Sequence, residues 1–377
     1  MLYLRMSKAL RARVRSGCGP QVSQPTLLHN AIVLATLLVA TAPPAARAEA
    51  IVGETRTYTL SQRPTASVEA MKAEFRRPQV IPFPDQNPFT PSKAALGKKL
   101  YFDPRLSASS SQSCASCHNP ALGWGDGLSV GVGHAMAQLR RRSPTLVNAA
   151  WGSIFMWDGR ADSLESQALG PIQSRAEMDM PMDKLIPRLS SIRDYKPLFA
   201  AAFPNEGLNA STLTRAIATY ERTIVSGPAP FDAWIEGDEQ AIPDAAKRGF
   251  VVFNTKGGCA SCHSGWNFTD DGFHDIGLPS QDIGRGEFLP SIVKMQHAFK
   301  TPTLREISYR APYMHDGSLV TLEEVIEHYD VGGIPRQSRS ELVMPLSLTG
   351  PEKDEIIQFL KSLSSTTTPP KLPTLPR

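Results

Sequence analysis

Two five-residue runs limit what this chain can fold into: Cys114-Ala115-Ser116-Cys117-His118 and Cys259-Ala260-Ser261-Cys262-His263. Each is a C-x-x-C-H, the pattern by which a c-type haem is attached covalently. The two thiols add to the porphyrin vinyl groups, and the adjacent His becomes the proximal ligand of the iron. A thioredoxin-like redox pair or half of a zinc site would also use C-x-x-C. Neither accounts for the His that follows, twice. Four of the five cysteines fall in these motifs, so the chain reads as a di-haem cytochrome c whose domains must be built around two haems.

The fifth cysteine, Cys18, lies in a leader. Residues 1–48 carry Arg5, Lys8, Arg11, Arg13, Arg15 and Arg47 and no acidic residue. The apolar stretch Ala31 to Ala42 follows, then Ala46-Arg47-Ala48 offers a small-x-small cleavage site. This is the pattern of a secretory signal peptide cleaved near Ala48. The apolar run is well short of the roughly 20 residues that span a bilayer, so contact with a membrane is expected only through an uncleaved signal. The whole chain has 40 Lys+Arg and 36 Asp+Glu; without the leader 34 cations face 36 carboxylates. The basic balance thus belongs to the leader, and no nucleic-acid partner is implied. Export to the periplasm agrees with the chemistry, because bacteria attach c-type haem outside the cytoplasm.

Helical spacing dominates the rest. Ala95–Tyr101, Met182–Leu189, Leu213–Ile224, Ala245–Phe253, Leu322–Tyr329 and Glu352–Leu363 place apolar residues on one face of a helix. Pro243 and Pro351 sit at helix starts. No alternating run is long enough to suggest a sheet, and the Ser/Thr/Pro-rich residues 365–377 read as a disordered tail. Landmarks recur at a constant offset of 158 residues: Pro144-Thr145-Leu146 and Pro302-Thr303-Leu304, Trp157-Asp158-Gly159 and His315-Asp316-Gly317, Leu164-Glu165 and Leu322-Glu323. Such a repeat indicates duplication of one haem-binding unit. The expected fold is all-α: two cytochrome c-like haem domains related by internal duplication, the haems facing the domain interface. The expected boundaries are a signal at 1–48, an N-terminal extension at 49–84, an N-terminal haem domain at 85–230, a C-terminal haem domain at 231–364 and the tail at 365–377.

The halves are not equivalent, and with its P-T-L-x-N, W-D-G-R-A, Q-A-x-G-P, E-M and P-Y-M-H-D-G motifs the chain resembles the bacterial di-haem cytochrome c peroxidase family. That family includes the MauG-type protein-oxidising enzymes, and the resemblance runs from about Asn87 to Leu363. It implies that the N-terminal haem is peroxidatic and that the C-terminal haem stores electrons or oxidising equivalents. Gln167 and Glu177 match the family's pair above the first haem, and Pro171 a position lining the same pocket. Splitting the O–O bond of peroxide requires a proton moved between its oxygens, which a carboxyl can do as acid and base; an amide can orient the peroxide. Trp157 matches the Trp between the haems, a stepping stone for an electron or a hole.

Two further matches point in opposite directions. His134, sixteen residues after His118, matches the His that caps the resting first iron in ordinary peroxidases and that MauG-type members lack. Tyr329, fourteen residues after His315, stands where peroxidases place a Met ligand of the second iron and MauG-type enzymes a Tyr. An anionic Tyr oxygen favours ferric and higher states, whereas Met raises the potential. Met344, ahead of the last helix, and Met314 are rival ligands. The family also holds a calcium ion, using an Asn where this chain has Arg142 and a carbonyl that corresponds to Arg310; a cation facing two arginines is disfavoured, so calcium is doubtful.

The leading expectation is a periplasmic peroxidase reducing hydrogen peroxide to water, with a small c-type cytochrome or cupredoxin as electron donor. The alternative is a MauG-type enzyme that oxidises Trp or Tyr side chains of a partner protein. A non-enzymatic electron carrier is a third possibility, against which Gln167 and Glu177 argue, since a carrier needs no distal acid.

Overall fold

The computed structural model describes residues 67–366 and 368–377; the leader, its cleavage site and Cys18 lie outside them. Helix starts in the described residues follow local chemistry. The Thr90 hydroxyl accepts from Lys93 N (3.2 Å) and Pro91 occupies the first turn, so the second helix begins four residues before its apolar face. Thr321 with Glu324, and Thr349 with Glu352, form reciprocal capping boxes on the last two helices. The helices are α1 (Val68–Glu74), α2 (Pro91–Tyr101), α3 (Cys114–Cys117), α4 (Leu164–Gln173), α5 (Met182–Ser190), α6 (Tyr195–Ala202), α7 (Ala210–Arg222), α8 (Pro230–Ile235), α9 (Asp244–Asn254), α10 (Leu322–Val331) and α11 (Gly350–Lys361). The only sheet among the described residues pairs β1 (Phe273–His274) with β2 (Phe299–Lys300), antiparallel.

Two cores result. The first gathers Leu96 and Leu100 of α2, Ile172 of α4, Leu185 of α5, Phe199 of α6 and Leu213 and Ile217 of α7. The second is aromatic: Phe231, Trp234, Phe250, Phe253, Phe268 and Phe359 pack edge to face, Phe253 and Phe359 with ring centroids 5.0 Å apart. Phe75, from the N-terminal extension, is fully buried in this second core. Arg77 ties the same segment to Ser226 O (2.7 Å) and Asp232 (3.1 Å).

The two cores share one construction detail. A Cβ added at Gly97 of α2 would lie 1.9 Å from Ala216 O of α7, and one at Gly249 of α9 would lie 1.9 Å from Glu355 O of α11. Each pair of helices therefore crosses at backbone contact, which only glycine permits. Gly249→Ala is expected to destabilise the haem-loaded protein by about 1–3 kcal/mol through overpacking, read as a lowered urea midpoint with an unchanged slope.

The sequence offset of 158 is also an offset of geometry. The bridge Phe155 to Ala161 is matched by Tyr313 to Leu319. Left-handed Asn148 (φ 60°) and Met156 (φ 70°) are matched by Glu306 (φ 59°) and Met314 (φ 69°). Asn148 accepts from Ser226 N (2.9 Å) as Glu306 accepts from Ser365 N (3.0 Å), so each fastens the chain that leaves its last helix.

The tail departs from the disorder its composition suggests. Lys99 Nζ donates to Thr374 O (2.7 Å), and Arg377 N donates to the Asp194 carboxylate (3.0 Å) while Asp194 N donates to Arg377 O (3.2 Å). Polar anchors of this kind hold a Pro-rich segment that has no core of its own.

Candidate functional site

Each C-x-x-C-H sits on a short helical turn that leaves its His pointing in a fixed sense. His118 Nδ1 lies 2.9 Å from Pro144 O, and His263 Nδ1 lies 2.9 Å from Phe268 O. A carbonyl can only accept, so Nδ1 carries the proton in both rings and Nε2 keeps its lone pair for a metal. Burial lowers both pKa values, that of His263 to about 4, which also keeps the rings neutral. Burial pushes the Cys117 thiol up to about 11 and the Cys259 thiol up to about 12. A reactive redox pair needs the opposite shift, so the burial of these thiols and the fixed His rings argue against the thioredoxin reading.

Both motifs open into one cavity of roughly 690 Å³, walled mainly by apolar groups. Several polar atoms in its wall are buried without a partner: Gln167 Oε1, Glu221 Oε2 and Arg310 Nε. Buried polar atoms are almost always satisfied; a wall that strands them suits a prosthetic group with polar atoms of its own. The residues fit two haems, held by Cys114, Cys117 and His118 and by Cys259, Cys262 and His263.

On the first side, Ser163 caps α4 by accepting from Ser166 N (3.1 Å), and Pro171 stands inside the helix. Having no N–H, Pro171 cannot close the bond to the Gln167 carbonyl. The chain then turns back: Met178 N donates to Pro171 O (3.1 Å) and Met180 N to Ile172 O (2.8 Å). This return places Glu177 in the same cavity wall as Gln167 and Pro171. No hydrogen bond from the described residues reaches the Glu177 carboxylate. Burial raises its pKa, against the pull of Arg160.

Trp157 lines the same cavity and is held at both ends. Its indole N–H donates to Arg142 O (3.0 Å), and its carbonyl accepts from Lys300 N (2.8 Å) of β2. Its ring stands edge-on to His315, centroids 6.4 Å apart. Arg285 donates to Asp158 O (2.9 Å) and Gly159 O (2.6 Å), and Arg141 bridges Asp158 and Asp282. Residues from the second half thus clamp the Trp-Asp-Gly turn of the first.

On the second side, Tyr329, Met314 and Met344 all line the cavity. Burial, and then the Cys262 and Cys259 thiols, push the Tyr329 phenol above its ordinary range. Met344 is 40% exposed. His134 is placed differently: it is not among the cavity-lining residues. Its Nε2 lies 3.7 Å from the Asp179 carboxylate, in a turn where Ala135 and Met136 take positive φ. Its backbone N–H donates to Glu177 O (2.8 Å), so the turn abuts the distal segment, and its ring Nδ1 is buried without a partner among the described residues.

Two wall residues escaped the sequence reading. Glu221, 4% exposed, has its pKa pushed up to about 8 by burial, against the pull of Arg222. It belongs to α7, where a Glu beside an Arg looks like a solvated pair. His315 carried a signal, the 158 offset from Trp157, whose meaning becomes visible only when the two rings meet.

The chain matches a family model described as Di-haem cytochrome c peroxidase over residues 91–240. It is 53% identical over 310 residues to the methylamine utilization protein MauG of Methylorubrum extorquens, covering 81% of this chain and 88% of that one. It is 36% identical over 317 residues to a cytochrome-c peroxidase, IdrP1, of Pseudomonas sp. strain SCT, covering 75% and 84%. Among solved structures, a MauG-like protein associated with microbial copper homeostasis superposes with TM-score 0.71 at 29% identity, covering 77% and 95%. With the haem-ready motifs and the shared cavity, these relationships establish that the chain belongs to the di-haem cytochrome c peroxidase/MauG family, binds two c-type haems covalently and is an oxidoreductase acting on peroxide.

Proposed function

We propose that this chain is a MauG-type member, which takes two electrons for each peroxide from Trp or Tyr side chains of a partner protein. The observation that carries the reading is that Tyr329 lines the cavity shared by the two motifs while His134 is not among its lining residues. The closer identity to MauG than to the peroxidase relative supports it. The haems, when bound, supply the redox-active irons. Glu177 takes a proton from one peroxide oxygen and returns it to the other. Gln167, whose Oε1 has no partner in the wall, orients the peroxide. Trp157, fixed between Arg142 and Lys300, carries the hole to the second half, where the Tyr329 oxygen stabilises it.

In this reading the two haem units span 85–230 and 231–364 and arose by duplication, supported by the repeated bridges and left-handed positions. The segment around Phe75 belongs physically to the second unit. Export to the periplasm is inferred from the leader; among the described residues no helix is long and apolar enough to cross a membrane.

One observation favours a second reading, the reductively activated peroxidase supplied by a small cytochrome or cupredoxin: the His134 turn is bonded to the carbonyls of Ala176 and Glu177 and could swing its ring inward. His134→Ala separates the two. Under the MauG-type reading the fully ferric variant and the parent react with peroxide at the same rate. A variant that reacts when the ferric parent does not would make His134 the resting cap and establish the peroxidase.

A further inference from the structure

Arg142 reaches in three directions at once. Its N–H donates to His315 O (2.9 Å), its carbonyl accepts from the Trp157 indole (3.0 Å), and its Nη1 donates to Arg310 O (2.8 Å) and to Pro312 O. The residue is 8% exposed. Three of these four bonds cross from the first half to the second, and the fourth holds the Trp157 ring.

The calcium ion that the family implies does not fit here. Calcium takes six to eight oxygen ligands, and the carbonyl oxygens at 310 and 312 already accept from the Arg142 guanidinium. Arg310, also buried, stands beside it and donates to Thr303 O. No carboxylate among the described residues forms an ion pair with either guanidinium, and burial lowers both pKa values. A divalent ion would thus meet two buried like charges at short range, where repulsion is least screened.

We propose that Arg142 is a positioning residue: a cation carried on the chain that joins the two halves through the 310–312 carbonyls and fixes the Trp157 indole between them, with no bound calcium required. Its consequence for transfer between the haems rests on the relay role given to Trp157 above. The Arg310 carbonyl that the resemblance gives to a divalent ion is held by the Arg142 guanidinium, and the Arg142 backbone carbonyl grips the indole, so clamp and relay are one residue.

The test uses haem-loaded protein, parent and Arg142→Asn, each dialysed against EGTA and then assayed with and without millimolar calcium chloride. Calcium content, thermal midpoint and loss of each ferric EPR signal after one equivalent of peroxide are read together. The parent is expected to hold no stoichiometric calcium and to be unmoved by EGTA or added calcium in every readout. R142N is expected to slow oxidation of the second haem by about tenfold or more, far beyond any change at the first, with calcium restoring both transfer and thermal midpoint. Stoichiometric calcium in the parent, with transfer lost on chelation, would overturn the proposal. So would R142N that transfers as fast as the parent without calcium. If R142N fails to fold, the parent's calcium content and chelator response still decide. If the parent shows no transfer, the relay reading falls, whereas the calcium content and the midpoints still judge the Arg142 clamp.

Discussion

Exchanging Glu177 for Gln is expected to slow the reaction of the fully ferric, haem-loaded protein with hydrogen peroxide by about 10²–10⁴-fold. Gln keeps the size and polarity of Glu and removes only the ability to take and return a proton, so the effect isolates that step. The return of the chain after Pro171 brings Glu177 to the cavity, and burial raises its pKa. The sign of the pH dependence follows. The carboxylate must be ionised to accept the first proton, so the rate falls as pH drops through the raised pKa. The acid limb in the parent should therefore lie above the ordinary Glu value of about 4.3 and disappear in E177Q. Stopped-flow traces at 400 nm across pH 4–8 measure both features. Undiminished turnover in E177Q would remove Glu177 from the mechanism and make Glu221, a buried acid in the same wall with a raised pKa, the next candidate to examine.

Tyr329→Met is the second change with a large expected effect. If the Tyr oxygen is the distal ligand of the second haem, its replacement by a thioether raises that haem's potential by on the order of 100 mV, within the roughly 0.8 V over which axial ligands act. A higher potential makes the haem a better acceptor of electrons and a poorer store of an oxidising equivalent. Peroxide should then extinguish the first ferric signal of Y329M and leave the second. Potentiometric titration with EPR measures both. A variant whose second haem keeps the parent's potential and spectrum would give the ligand position to Met344 or Met314.

Much of this was legible in the sequence because haem attachment, helix caps and helix faces are local. The two C-x-x-C-H runs, Thr349 ahead of Glu352 and the apolar faces of α7 and α11 name their own structure. The placing of Gln167 and Glu177 in one cavity wall was legible only through family resemblance, since the turn between them is closed by Met178 N and Met180 N on the carbonyls of Pro171 and Ile172 at the end of α4. What was not legible depends on partners far away in the chain. Phe75 completes a core whose other rings begin at Phe231, and the tail is anchored by Asp194 and Lys99. Nothing local in the run Arg140-Arg141-Arg142 tells which guanidinium is exposed and which is buried. In the fold Arg140 and Arg141 do pair with acids such as Asp282, whereas Arg142 turns inward to carbonyls of the other half. His134 carried a motif match, and its Nε2 lies 3.7 Å from the Asp179 carboxylate, a neighbour the motif does not name.

The most direct test is to add one equivalent of hydrogen peroxide to the fully ferric, di-haem protein, with no reductant present, and record its EPR spectrum within seconds. Simultaneous loss of both ferric signals is what the proposed MauG-type reading predicts, with the first site open and Trp157 and Tyr329 letting the second haem share the oxidation. A spectrum unchanged until one electron is supplied would contradict this and return the protein to the reductively activated peroxidases.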